Sequence, residues 1–167
     1  IPVFFIEKNQ EQIIEKIRDT AGLKTKEVGD VGEALTIEHE KNRLTIANRQ
    51  DLIHLVLKMP ERLAVGYDIN SREIDETHKY IEVKTTVSRG KLSGNNFSMS
   101  PNEWNSAKSN RKLYFVYRIM ISSSDISLFV IQDPVGKERD DLLDMTPRNG
   151  ADIRYNERSG NWEKLLV

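Results

Sequence analysis

Cysteine is absent from the 167 residues, which excludes disulfides and thiolate-bound zinc and leaves a hydrophobic core to hold the chain together. Histidine is nearly absent. His39, His54 and His78 stand at no metal-ligand spacing, so no zinc centre is expected from them. No apolar run approaches the length of a bilayer span and no signal peptide opens the chain, so a cytoplasmic (prokaryotic) or nucleoid-associated location is expected. An excess of one charge sign is missing as well. The 25 basic and 26 acidic residues leave a formal net charge of -1, so any surface for nucleic acid has to come from local clusters of Lys and Arg. Internal repeats, low-complexity tracts and linkers are also lacking.

What is present fits one globular domain. Charged residues make up 31% and aliphatic plus aromatic residues 38%, the balance of a soluble folded chain, and the length suits a single core. The chain begins at Ile1 rather than Met, as a piece excised from a larger polypeptide would, so a neighbouring domain is expected. Within a single domain over 1–167, the patterns suggest a helical extension over 1–26, a core over 27–135 and a further extension over 136–167.

Along the chain, Ile13, Ile14, Ile17 and Ala21 at helical spacing predict an amphipathic helix that stops at Gly22. A second helix is expected over Val31 to Asn48, with Asp30 as its N-cap. There Glu33, Ile37, Glu40 and Leu44 share one stripe, two carboxylates among apolar neighbours. "DLIHLVLKM" reads as a buried strand closed by Pro60, and "RLAVGYDIN" as the next strand. "SREIDETHK" then connects to the strand "YIEVKTTV", making a hairpin. "NNFSMS" predicts a short strand. Ser100, Pro101 and Glu103 are cap, first residue and box partner of a helix in which Trp104 and Ala107 pack on the sheet. "KLYFVYRIMI" and "ISLFVIQ" follow as strands, "DPVGK" as a turn, and the tail as a hairpin around Ser159 and Gly160. The order predicts a mixed α/β or α+β core.

One strand carries chemistry. Side chains alternate along it, so Tyr80, Glu82, Lys84 and Thr86 share a face opposite Ile81 and Val83. Taken alone, Glu82 and Lys84 read first as a solvent-facing ion pair. A hairpin changes that, because it brings Asp68 from the preceding strand beside Glu82, with Lys84 one pleat further on. Two carboxylates can hold a hard divalent cation such as Mg²⁺ against a phosphate, while a lysine orients water and opposes charge built up on the phosphorane. Glu33 either completes that metal shell or is a first-turn glutamate favoured by the helix dipole. Glu40 reads as a buried salt-bridge or supporting residue.

Gly32 with Glu33, Glu40 with Leu44, "GYDI" with Ser71, "YIEVKTT" and "SPNEW" together resemble the NO VEIN-type C-terminal domain. That group is similar to the PD-(D/E)XK nuclease superfamily, which includes restriction endonucleases and Holliday junction resolvases. The resemblance implies an α/β (α+β) fold with a restriction-endonuclease-like core, a central mixed β-sheet flanked by helices. It implies Asp68, Glu82 and Lys84 as the catalytic set, with Glu33, Asp68 and Glu82 on Mg²⁺ or Mn²⁺, hydrolysing DNA phosphodiesters in restriction, defence or DNA processing. Tyr67 stands where the superfamily's name has proline. Relatives sit beside helicase, ATPase or methylase modules, and resolvases act as dimers, so a fused or associated module and a homodimer are both expected. The rival is a non-catalytic module of the same fold that binds DNA or docks a partner.

For DNA contacts the sequence offers two basic patches, Arg89 and Lys91 after the catalytic strand and Lys108, Arg111 and Lys112 past the helix begun by Ser100. Ordinary solvated surface is the preferred reading of either patch. Ser98 and Ser100 can bind phosphate, and Ser100 can simply cap its helix.

Overall fold

The structure is a computed structural model and describes residues 25–87, 95–122 and 125–167. The helix expected between residues 7 and 22, and with it Arg89 and Lys91, lies outside the described residues. Helix α1 runs over Thr25–Ile46. It begins earlier than its Asp30 start signal suggests, because Lys26, Glu27 and Val28 accept helical geometry and a single Gly29 is tolerated within it. Asp30 is therefore an exposed residue inside the helix rather than its cap.

The strand expected from Asp51 to Met59 is mostly something else. Gln50–Leu55 form a 3₁₀ helix and only Leu57–Lys58 pair as β1. Leu52 and Val56, four apart, are the buried residues here, and a short apolar run does not by itself separate helix from strand. A 3₁₀ turn at Glu61–Leu63 follows, and the left-handed Ala64 (φ 48°) and Gly66 (φ 79°) bend the chain into β2, Ile69–Arg72. Strand β2 extends into residues expected to connect, and β3, His78–Val87, returns antiparallel to it. The antiparallel hairpin is as predicted, but of the strand expected over "RLAVGYDIN" only Ile69 and Asn70 belong to it, the positive φ of Ala64 and Gly66 having bent the rest out of extended geometry.

Beyond β3 come β4 (Asn96–Met99), helix α2 (Pro101–Asn110), β5 (Tyr114–Ile121) and β6 (Ile126–Gln132). Instead of a turn, "DPVGK" opens helix α3, Pro134–Arg139: Asp133 accepts from Gly136 N at 2.9 Å and Pro134 takes the first position. The tail hairpin turns at residues 148–150 between β7 (Leu143–Pro147) and β8 (Ala151–Tyr155), where Asn149 and Gly150 have positive φ. Ser159 and Gly160 instead lead into β9, Asn161–Glu163, which joins β6.

These strands form a six-stranded mixed sheet, order β1-β2-β3-β5-β6-β9, and a three-stranded sheet, order β4-β8-β7, so the fold is α+β. In the large sheet β3 and β5 are parallel and every other neighbouring pair is antiparallel. Helix α1 covers one face, where Leu35 and Leu44 meet Ile69, Ile81, Tyr117 and Ile119. The other face packs on α2 and the small sheet through Trp104, Ala107, Tyr114, Val116 and Ile153. Burial on both sides explains why β5 is apolar at nearly every position. No helix of the described residues is long and apolar enough to cross a membrane.

One close approach fixes α1 on the sheet. A Cβ at Gly32 would fall inside the Thr85 side chain of β3, so only glycine lets helix and strand meet there. Gly32→Ala is expected to destabilise the fold by about 1–3 kcal/mol through overpacking. Thermal denaturation reads this loss, and Thr85→Ala in the same chain should recover part of it because the two sites share one contact.

Candidate active site

Strand register assembles the site. Ile69 pairs with Ile81, so the next antiparallel step brings Asp68 alongside Glu82. Two hydrogen bonds hold it there: Asp68 N donates to Ile81 O at 2.9 Å, and Val83 N donates to Asp68 Oδ2 at 2.8 Å. The approach to Asp68 is equally fixed. Tyr114 OH donates to Gly66 O at 2.8 Å and Asn102 Nδ2 to Ala64 O at 2.8 Å, tying the bend to β5 and α2. A Cβ at Gly66 would come within 2.6 Å of Ser106 Cβ and 2.7 Å of Asn102 O, and its φ is positive, so this bend needs glycine. Beyond Glu82, β3 runs on past its pairing with β2.

Glu82 is 4% exposed, so it is not a solvent-facing charge. Its Oε1 lies 3.1 Å from Lys84 Nζ, and Lys84 Nζ also donates to Glu103 Oε2 at 2.8 Å. Burial raises the Asp68 carboxyl to about 6; the Val83 N–H opposes the rise and the charge of Glu33 adds to it. Burial, then the charge of Asp68, pushes Glu82 well above the ordinary carboxylate range against the pull of Lys84. Burial disfavours the charged Lys84, but Glu82 and Glu103 outweigh it and hold the ammonium above its usual value. A crowded carboxylate pair beside a firmly protonated lysine has more negative potential than its one cation neutralises.

Glu103 is a site residue that sequence reading placed only in the helix cap. Ser100 Oγ accepts from Glu103 N at 3.2 Å, and Ser100 N donates to Glu103 Oε2 at 3.0 Å, the same oxygen that receives Lys84. Ser100 itself serves as the cap. A carboxylate one pleat and one helix start away from an E-x-K strand is the signal that was available for Glu103.

The two glutamates of α1 part company. Glu33 reaches the site side of the helix, where its charge bears on Asp68, and its own carboxylate is held by Lys58 Nζ at 2.6 Å. Glu40 is fully buried in a separate network: Arg43 donates to it at 2.9 and 3.0 Å, Tyr117 OH donates at 3.0 Å, and Lys79 Nζ lies 3.4 Å away. Burial would raise Glu40, but Lys79 and Arg43 prevail and bring it down to about 2. Glu40 is thus the buried salt-bridge residue expected of it.

Of the basic and hydroxyl residues proposed for DNA, Ser98 Oγ donates to Asp152 at 2.8 Å on the small sheet, and Arg111 Nε pairs with Asp133 at 3.1 Å at the start of α3. Lys108 is exposed in the last turn of α2, at the opposite end from Glu103. Trp104 and Ala107 lie in the core, as their spacing predicted.

The donor set suits a hard cation. Asp68 and Glu82 offer carboxylate oxygens near one another, and Mg²⁺ characteristically takes one or two carboxylates and keeps waters for its other positions. Among the described residues no three His, Asp or Glu side chains form a group that could hold a metal, so Glu33, Asp68 and Glu82 are not assembled as the three-ligand shell expected of them; Glu33 is engaged by Lys58 instead.

No curated protein and no solved structure matches the chain. A family model described as "Protein NO VEIN, C-terminal" matches residues 32–131, a span that includes Glu33, Asp68, Glu82, Lys84 and Glu103. Since that span is more than half of the chain, the protein belongs to the NO VEIN C-terminal family.

Proposed function

We propose that this protein is a metal-dependent deoxyribonuclease with a restriction-endonuclease-like core, hydrolysing phosphodiester bonds in restriction, defence or DNA processing. The observation that carries the reading is the convergence of Asp68, Glu82 and Lys84 at the point where β3 outruns β2, with both carboxyls raised and the lysine charged. Asp68 and Glu82 would hold Mg²⁺ or Mn²⁺, and Glu33 would add negative potential from behind Lys58. The cation supplies a Lewis acid for the phosphate and a more acidic bound water. Lys84 stays protonated, so it acts as a hydrogen-bond donor and positive charge towards the attacking water and the phosphorane oxygens, not as a base. Glu103 keeps that ammonium in place when Glu82 turns to another cation. The water oxygen bonds to phosphorus, the bond to the leaving oxygen breaks, and the water gives up one proton as the leaving oxygen gains one.

Plasmid, linear, single-stranded and branched DNA, each incubated with the purified chain in Mg²⁺, Mn²⁺ or EDTA, test this. Cation-dependent cleavage that EDTA abolishes is the expected result. DNA binding with no product on any of the four would replace the nuclease by a binding or docking module of the same fold. A preference for branched substrate together with a dimer in solution would point to a resolvase.

A further inference from the structure

Arg118 is the one charged side chain in the apolar strand β5, and it is 5% exposed. Its Nη1 donates to Lys84 O at 3.0 Å and its Nη2 lies 3.5 Å from Asn96 O, while Nε has no hydrogen-bond partner among the described residues. Lys84, Lys79 and Arg43 each pair with a carboxylate. For Arg118 no described carboxylate does so; its other neighbour is the Tyr155 phenol. A buried guanidinium among carbonyl oxygens and a phenol carries its charge uncompensated, a costly arrangement unless an anion arrives.

The space for one is there. Arg118 lines a cavity of about 440 Å³ with Gly29 of α1, Lys84 and Thr86 of β3, and Asn96 and Phe97 of β4. Lys84 belongs to this cavity and to the carboxylate site, and the parallel register sets Arg118 directly beside it. Adjacent strands stand ~4.8 Å apart, of the order of one nucleotide step.

We propose that this cavity is a phosphate subsite, in which Nε of Arg118 and the Nη hydrogens not given to Lys84 O and Asn96 O take the phosphodiester next to the one presented to Asp68, Glu82 and Lys84. The identity of the strand rests on the nuclease reading; the anion does not. Arg118 thereby sets the register of the strand in the site, since a planar fork fixes a phosphate more tightly than a point charge does.

The test is binding of fluorescein-labelled duplex DNA in EDTA across a salt series, for the parent, Arg118→Gln and Arg118→Lys. Arg118→Gln should bind about tenfold or more weakly, the usual loss with a charged hydrogen bond. Its slope of log affinity against log salt should fall by about 0.9, the value of one phosphate contact. Arg118→Lys should recover the slope but not the full affinity. In the ¹⁵N-labelled parent, the Arg118 Nε–H signal should move with duplex and also with inorganic phosphate. An unchanged slope and affinity in folded Arg118→Gln overturns the subsite, as does an Nε–H signal that duplex leaves in place, a measurement needing no variant to fold. Movement with inorganic phosphate alone overturns the assignment to a nucleic-acid strand. Cleavage in Mg²⁺ separates the two readings: a parent that cuts while Arg118→Gln keeps its slope loses only the subsite. A parent that never cuts while Arg118→Gln loses slope retains the subsite and ends the nuclease.

Discussion

Lys84→Met is expected to take up Mg²⁺ at least as tightly as the parent while cleaving DNA about two to three orders of magnitude more slowly, the usual effect of deleting one preorganised electrostatic group. Methionine keeps most of the length and removes the ammonium that lies 3.1 Å from Glu82 and 2.8 Å from Glu103. With that positive charge gone, the carboxylates face a divalent cation without a competitor, so binding does not fall. Calorimetric Mg²⁺ titration beside a plasmid-nicking assay separates the two effects. Parent-like cleavage by Lys84→Met would reduce the lysine to an ordinary buried ion pair. A parallel loss of metal and cleavage would make it a structural support of the ligands instead.

Asp68→Asn and Glu82→Gln should do the reverse, abolishing metal uptake while making the metal-free fold more stable. The sign follows from the raised carboxyls. Between the ordinary carboxylate value and about 6, folded Asp68 keeps a proton that the unfolded chain has released. Stability from this group is therefore full below that window and is lost as pH rises through it. At neutral pH, Asp68→Asn removes a charge the fold disfavours, worth about 1–2 kcal/mol once its partial exposure is allowed for. That corresponds to a rise in midpoint of roughly 2–8 °C for a chain of this size. The gain should vanish when melting is repeated near pH 4. Parent Mg²⁺ affinity should rise between pH 5 and 8 for the same reason, because the cation displaces protons from the pair. Glu40→Gln supplies the opposite sign: Glu40 is depressed to about 2, so its contribution is present at neutral pH and lost only in acid. Its removal leaves the buried Lys79 with only the longer pair to Glu73 at 3.7 Å and should cost about 3–5 kcal/mol. A site carboxylate whose replacement destabilises as Glu40 does would belong to the scaffold.

The hairpin was legible because a strand has period two, which puts Glu82 and Lys84 on one face, and because an antiparallel return can bring Asp68 beside them; reading the three as one catalytic set came from the family resemblance. The helix begun by Ser100 was legible for the same local reason: its signal lies within four residues. Residues 50–55 were not, because Leu52 and Val56 bury apolar side chains at a spacing that suits a tight helical turn and a strand alike. Nor was the pairing of β9 with β6, which joins residues about thirty apart by a choice no local pattern records. Glu103 and Arg118 were missed for different reasons. The first already had a complete local explanation as a capping residue. The second stood in plain view, one arginine in an eight-residue apolar strand, but its meaning depends on which neighbours lack a carboxylate.

Because a single oxygen, Glu103 Oε2, both closes the first turn of α2 and anchors the Lys84 ammonium, the two share one opening reaction. Helix ends are where native proteins open most readily, with local free energies far below that of global unfolding. When that first turn frays, Lys84 is left with Glu82 alone, so the lifetime of a correctly aimed ammonium cannot exceed the lifetime of one helical turn. Amide exchange at Glu103 and Trp104 therefore measures how long the lysine stays aimed.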